Sequence, residues 1–135
     1  MAPRGQKLFT LEEARALLPR LRELLTALQA ERREMAEELR ALERLTSAMR
    51  ANGHAAEAAR REKRLGSLTA AIRGGLQQLA ALGVEVKDVD SGLVDFPSLR
   101  EGRIVYLCWR LDEPTIAYWH ELDTGFLGRE PLEPS

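Results

Sequence analysis

The sequence predicts an α+β fold: a long antiparallel helical hairpin, coiled-coil-like in its pattern, followed by a small antiparallel β-sheet module. Apolar residues recur every seven positions through residues 10–82, and one Asn-Gly pair interrupts that stretch. Short apolar runs separated by turn residues follow it. Because 135 residues suffice for one core, we expect a single domain over 1–135, with the hairpin at 10–82 and the β module at 84–132.

The first helix is predicted to begin at Thr10, where Thr-Leu-Glu-Glu can form a capping box with Glu13. It should run to Asn52-Gly53, a left-handed turn that reverses the chain into the second helix. The apolar seam of the first helix consists of Ala14, Leu21, Leu28, Met35, Leu42 and Met49, and that of the second consists of Ala58, Leu65, Ile72 and Leu79.

The two predicted helices differ in length, so residues 10–23 should extend beyond the hairpin. Pro19 lies in this extension and predicts a kink, because an interior proline removes one helical hydrogen bond. We therefore expect the kinked segment to cover the β module.

The β module is predicted from four apolar segments. Residues 104–109 are apolar at every position, which is typical of a strand buried on both faces. The N-terminal helix can cover one face, and the other would need a second copy or another partner, so we expect a homodimer. The other predicted strands are 84–89, 93–96 (ended by Pro97) and 116–121, with turns at 99–103 and 112–114.

Charge is divided unequally along the chain. Residues 1–82 contain 15 Lys and Arg against 10 Glu, a net charge of +5, whereas residues 83–135 contain 5 against 11 Asp and Glu, a net charge of -6. The N-terminus has no signal-peptide pattern and no apolar run is long enough for a membrane span, so we expect a cytoplasmic protein without a membrane partner. Cys108 is the single cysteine, which excludes an intramolecular disulfide and a Cys-based structural zinc site.

Five segments of the chain together form a recognisable pattern: Phe9–Arg15, Gly92–Pro97, Cys108–Arg110, Tyr118–Glu121 and Gly125–Arg129. This pattern resembles an uncharacterised bacterial family catalogued as domain of unknown function 2203. The resemblance covers nearly the whole chain and implies a small cytoplasmic bacterial protein with its signature residues in the β module, but it brings no activity.

Polar and aromatic residues between 110 and 129 form the first candidate site, for a small anionic ligand or a weak enzymatic activity. Arg110 or Arg129 could bind a carboxylate or phosphate, His120 could titrate near neutrality, and Trp119 could supply a flat apolar wall. Glu121 belongs to the same candidate site. The alternative is structural: the tryptophans form the core, and the arginines pair with Glu113, Glu121 and Asp123.

Metal binding and nucleophilic catalysis find little support in the sequence. His120 and Glu121 are adjacent, so on a strand they should point to opposite faces, and the calcium-loop pattern that begins at Asp88 has Leu99 at its twelfth position. A nucleophilic Cys108 with His120 as base would need an exposed thiol, but Cys108 lies in the apolar run. We therefore expect no catalytic residues, no metal and no cofactor.

The tip of the hairpin is the second candidate site, because it is basic. A basic helical arm could follow a phosphate backbone, but the tip lacks aromatic residues for stacking on bases. A solvated face with Glu–Arg pairs is the alternative, and nucleic-acid binding is not favoured. The residues concerned are Arg50, Arg60, Arg61, Lys63 and Arg64.

The sequence thus favours a non-enzymatic, homo-oligomeric interaction or binding protein, with a protein partner possible. The alternatives are a small-ligand site in residues 110–129 and nucleic-acid binding through the basic tip. Each of these three hypotheses assigns the function to a different part of the chain.

Overall fold

A computed structural model describes residues 6–133 and has the α+β architecture that the sequence predicts, with long helices followed by a five-stranded antiparallel sheet. The helices are α1 (Leu11–Ala16), α2 (Leu18–Glu43), α3 (Ser47–Met49) and α4 (Ala55–Ala81). The strands are β1 (Glu85–Asp88), β2 (Leu93–Arg100), β3 (Arg103–Arg110), β4 (Tyr118–His120) and β5 (Glu130–Pro131). No helix within residues 6–133 is long and apolar enough to cross a membrane.

The described chain forms two compact units. One contains residues 6–25 and 78–133, and the other contains residues 26–77. The predicted limits, 10–82 for the hairpin and 84–132 for the β module, divide the chain at other positions. The first unit includes the N-terminal helical residues together with the sheet.

The helical termini follow from local sequence. Thr10 accepts a hydrogen bond from the Glu13 backbone while the Glu13 carboxylate accepts one from Thr10, so the predicted capping box is confirmed. α1 ends with Leu17 as its C-cap, and α2 begins directly after it with Pro19 in its first turn. The N–H groups of a first turn have no partner within the helix, so the missing N–H of Pro19 costs no helical hydrogen bond.

The sequence predicted that the first helix would run unbroken to Asn52, but the structure shows an earlier end. The helix ends at Glu43, and a new turn begins behind Thr46, whose hydroxyl accepts from the Met49 backbone at 3.1 Å. A threonine side chain offers this alternative to helix continuation. The reversal itself includes Asn52 and Gly53, which have non-helical dihedrals; Gly53 has a φ of 103°.

Within the second unit, the two helical segments run antiparallel. Arg64 binds Glu34 and Arg61 binds Glu38, so later residues of one segment meet earlier residues of the other. A Cβ at Gly75 would lie 3.0 Å from Leu28 Cδ2, so this glycine allows the two segments to approach closely. The buried residues of this second unit include Leu28, Ala58 and Leu68.

The sheet is a meander in the order β1-β2-β3-β4-β5, with every neighbouring pair antiparallel. β2 continues through Pro97 to Arg100, although the sequence predicted that Pro97 would end it. The pairing of β1 with β2 ends at Asp95, so no hydrogen bond between these strands requires the N–H that Pro97 lacks. The Pro97 carbonyl instead accepts a hydrogen bond from the Phe9 backbone at 2.7 Å. The predicted turn at 99–103 is shorter, formed by Glu101 and Gly102, which both have positive φ.

Register divides the sheet into two faces, because directly opposed residues of an antiparallel ladder lie on the same side. We call one the apolar face; its residues include Val94, Phe96, Leu107, Trp109 and Trp119. The N-terminal segment contacts this face: the rings of Phe9 and Phe96 meet edge to face at 5.5 Å, and Ser98 donates to the Phe9 carbonyl at 2.6 Å.

Two arginines link the first helical residues to the loop between β3 and β4. Arg15 donates to the Ile116 carbonyl at 2.7 Å, and Arg22 donates to the carbonyls of Leu111, Glu113 and Pro114 at 3.1 Å. The Arg22 guanidinium also lies 5.1 Å from the ring of Trp109, so it contributes packing as well as charge.

Candidate functional site

The other side of the sheet, the polar face, carries Glu85, Asp95, Tyr106, Cys108 and His120. Asp95 is 3%, Cys108 0% and His120 1% exposed, so three groups able to bind protons or metals are buried together. Buried polar groups need partners, which makes their contacts informative.

His120 is bound at both ring nitrogens. Its Nδ1 lies 2.7 Å from the Glu121 carbonyl oxygen, and its Nε2 lies 3.1 Å from each carboxylate oxygen of Asp95. A carbonyl can only accept, so Nδ1 carries a hydrogen and Nε2 is the nitrogen that faces the Asp95 carboxylate.

Cys108 lies directly opposite Asp95 in the β2–β3 ladder. Its thiol, an Asp95 oxygen and a His120 nitrogen all lie within 4.8 Å of one another. Burial and the neighbouring Asp95 carboxylate raise the pKa of the Cys108 thiol to about 12. Cys108 and His120 are thus close, but a buried thiol that resists ionisation is a poor nucleophile.

A cavity of about 330 Å³ opens above this buried group. Asp95 and His120 line it, while Tyr106 and Phe126 supply aromatic walls. The other lining residues are Lys87, Leu93, Leu122, Asp123, Thr124 and Gly125. The cavity therefore combines a polar base with apolar walls, a composition typical of small-molecule sites.

Lys87 stands at one wall of the cavity. It donates to Glu85 at 2.8 Å and lies 4.8 Å from the Tyr106 ring, and the hydrogen bond to Glu85 raises the pKa of its ammonium. The Tyr106 hydroxyl donates to the same carboxylate at 2.9 Å. Burial, followed by the contact with Glu85, raises the pKa of Tyr106, so this hydroxyl keeps its proton.

Residues 122–126, which we call the covering segment, lie at the polar face. Arg110 and Arg129 hold this segment through Phe126: their guanidinium carbons lie 5.2 and 4.5 Å from its ring centre. The sequence predicted burial of 104–109 on both faces, which is confirmed for Val105 and for Leu107–Trp109. The chain's own covering segment lies on the second face, so this burial does not by itself require a second copy.

Comparison with known proteins gives a family but no activity. A family model described as "Uncharacterized conserved protein (DUF2203)" matches residues 7–132, nearly the whole chain. The chain belongs to this family. No curated protein and no solved structure matches the chain significantly. Membership of DUF2203 therefore identifies the chain without specifying what the cavity binds.

In this DUF2203 chain, the five residues predicted from the 110–129 segment do not converge on one pocket. Register places Arg110 and His120 on the same face, but only His120 lines the cavity. Arg110 binds Asp112 at 2.7 Å, and Arg129 binds Glu113 at 2.7 Å. Both arginines are thus bound to carboxylates, as the structural alternative proposed, although Arg110 pairs with Asp112.

Trp119 and Glu121 also lie away from the cavity. Trp119 belongs to the apolar face and lies beneath Arg100 and Arg103. Glu121 forms an ion pair with Arg103, which lowers the pKa of its carboxyl group. β4 ends at His120, so the predicted alternation of His120 and Glu121 along a strand does not apply.

At the basic tip, three of the five predicted residues are held by glutamates. Arg50 binds Glu62, Arg61 binds both Glu57 and Glu38, and Arg64 binds Glu34 through two hydrogen bonds. Arg60 and Lys63 are exposed. A face on which arginines are neutralised in place has less charge available for a phosphate backbone.

Sequence reasoning missed Asp95, Tyr106 and Lys87, which lie outside residues 110–129. Asp95 occupies an interior position of β2 and reads as part of an alternating strand. One signal could have found it: Asp95, Cys108 and His120 lie in three of the segments that carry the family resemblance, 92–97, 108–110 and 118–121.

Proposed function

We propose that this protein binds a small polar molecule in the cavity between the polar face and the covering segment. The observation that carries the proposal is a cavity of about 330 Å³ with a buried His120–Asp95 pair at its base. That volume lies within the range of natural small-molecule sites, though at its small end. The proposal retains the sequence-based expectations of a cytoplasmic, bacterial and non-enzymatic protein.

The lining residues suggest what the ligand should contain. Tyr106 and Phe126 favour a flat or apolar body, while Lys87, Asp95 and His120 favour polar groups at one end. We expect the polar end to meet Lys87, because an ammonium group in a half-open cavity can exchange its intramolecular carboxylate for one from a ligand.

Replacing Lys87 with methionine should weaken ligand binding about tenfold or more, since a hydrogen bond to a charged group contributes about 1.5–3 kcal/mol. The measurement is calorimetric titration with compounds selected by thermal shift from a panel of small carboxylic acids, amino acids, phosphate esters and nucleosides. Lys63→Met is the matched control, because Lys63 is exposed and does not line the cavity. Binding that Lys87→Met leaves unchanged would argue against the site, as would a panel without any binder.

A homodimer is a second candidate function, supported by exposed leucines beside the cavity. Leu127 is 98% and Leu122 54% exposed, an unusual position for large aliphatic side chains so close together in sequence. Burying these leucines against a second copy would remove that apolar area from water.

Leu127→Lys should shift the protein to monomer, because a buried lysine at an isologous contact would face its own copy. Sedimentation equilibrium over a wide concentration range measures the change. Leu99→Lys, at another leucine that is 61% exposed, is the control. Wild-type protein that stays monomeric at the highest concentration would dispose of the dimer.

A further inference from the structure

We infer that Asp95, Cys108 and His120 bind a divalent transition-metal ion of the zinc type, with one coordination position directed to the cavity. The three side chains supply one oxygen, one sulfur and one nitrogen, and these atoms lie within 4.8 Å of one another. All three residues are at most 3% exposed. The sequence did not predict this site, because its members come from three strands.

The strongest argument is the pairing of His120 with Asp95. Since Nδ1 donates its hydrogen to the Glu121 carbonyl at 2.7 Å, a neutral His120 directs the bare lone pair of Nε2 at the carboxylate. Both Asp95 oxygens lie 3.1 Å from Nε2, so two hydrogen-bond acceptors of the carboxylate face a third acceptor, the lone pair of Nε2. Such an arrangement requires a cation between them, which is either a proton, held by the ring or by the carboxyl group, or a metal ion.

The spacing of the three ligand atoms fits a metal ion. Nitrogen and oxygen ligands that lie about 2.0–2.1 Å from a tetrahedral zinc ion are about 3.3 Å apart, and the sulfur lies about 3.6 Å from either. The observed Nε2–Oδ1 distance is 3.1 Å, close to that value. The sulfur lies within 4.8 Å of both, so a shift of at most about 1.2 Å would complete the set.

The surroundings also match those of a metal site. Histidine ligands usually donate their second ring N–H to a carbonyl or carboxylate, and the Glu121 carbonyl serves this purpose. Asp95 and His120 line the cavity, which gives an ion a route to a buried group. A mixed set of one thiolate, one imidazole and one carboxylate suits zinc better than calcium or magnesium, which prefer oxygen ligands.

Three protein ligands leave a tetrahedral ion one open position, which is the arrangement of zinc sites that bind an exchangeable fourth ligand. Here the fourth ligand would be water or a small molecule in the cavity. The metal proposal rests on Asp95, Cys108 and His120, whereas the ligand proposal is tested at Lys87. The two can therefore fail separately.

Cobalt(II) titration of chelator-treated protein tests the metal site. Cobalt bound to a thiolate gives a sulfur-to-metal charge-transfer band in the near ultraviolet, and tetrahedral cobalt absorbs strongly in the visible region. Because Cys108 is the single cysteine, such a band can arise only from this residue. We expect a band that saturates at one equivalent of cobalt and disappears when zinc is added.

Variants separate the built site from adventitious binding. Cys108→Ser should abolish the charge-transfer band, and Asp95→Asn and His120→Asn should each weaken zinc binding at least about a hundredfold, more than the loss of an outer-shell partner. His54→Asn, at the other histidine in the sequence, is the matched control and should bind like wild type. Circular dichroism shows which variants are folded.

Failure of the wild-type protein to produce the charge-transfer band would overturn the inference, whatever the variants do. Zinc binding that Cys108→Ser and Asp95→Asn leave unchanged would also overturn it, because the bound metal would then be adventitious only. In either case the cation between His120 and Asp95 would be a proton.

Discussion

Replacing Asp95 with alanine in metal-free protein should lower the free energy of unfolding by about 3–5 kcal/mol, the usual effect of breaking a buried ion pair from one side. The Asp95 and His120 side chains are only 4% and 2% exposed, so each relies on the other as a partner in the intact protein. Urea denaturation at neutral pH measures the change.

A double-mutant cycle isolates the pair from the packing that each substitution removes. Asp95→Ala and His120→Ala together should destabilise the protein by less than the sum of the single variants. Asp123→Ala is the control, since Asp123 lines the same cavity but is exposed, and its effect should stay within about 0.5 kcal/mol. Strict additivity would show that the two side chains do not stabilise each other.

Replacing Trp109 with alanine should destabilise the protein by about 3–5 kcal/mol, as is usual when a large core aromatic is removed. Trp109 is fully buried, its Nε1 donates to the Glu113 carbonyl at 3.0 Å, and the Arg22 guanidinium lies over its ring. The substitution therefore removes packing from the apolar face and support from the loop after β3.

Trp109→Phe separates these contributions, because phenylalanine keeps a ring for Arg22 but cannot donate to Glu113. We expect it to cost about 1–3 kcal/mol, from the smaller volume and from the loss of one hydrogen bond to the Glu113 carbonyl, which keeps its bond from Arg22. Equal losses of stability in the alanine and phenylalanine variants, measured by urea denaturation, would mean that ring packing contributes little.

Periodicity was enough to predict the fold class. The seven-residue apolar repeat indicated the long helices, and short apolar runs indicated the antiparallel strands, because both signals repeat over many residues. Boundaries were harder, since one hydrogen bond decides them: Thr46 caps a new turn where the sequence predicted an unbroken helix.

Pro97 shows why local rules mislead. Proline usually ends a strand because it lacks the N–H that a neighbouring strand would bind. At Pro97 the missing N–H has no effect, because β1 does not extend to that position. That fact is tertiary, and one sequence does not contain it.

The candidate site was only partly predictable for the same reason. His120 stands out in the sequence as a histidine among aromatic and charged residues. Asp95 became relevant only through the register that places Phe96 opposite Leu107 and Tyr106 opposite His120. The charge of Arg110 and Arg129 predicts an anion site, but in the structure these arginines form ion pairs within the chain, with Asp112 and Glu113.

The contact between Phe9 and Ser98 also has a consequence for synthesis on the ribosome. These residues are 89 positions apart in sequence, and a ribosome adding about 5–20 residues per second needs roughly 4–18 seconds to cover that distance. During that interval the aromatic ring of Phe9 has been made, but its partner Phe96 has not. The nascent chain therefore presents apolar surface that a holdase could bind until the last strands emerge.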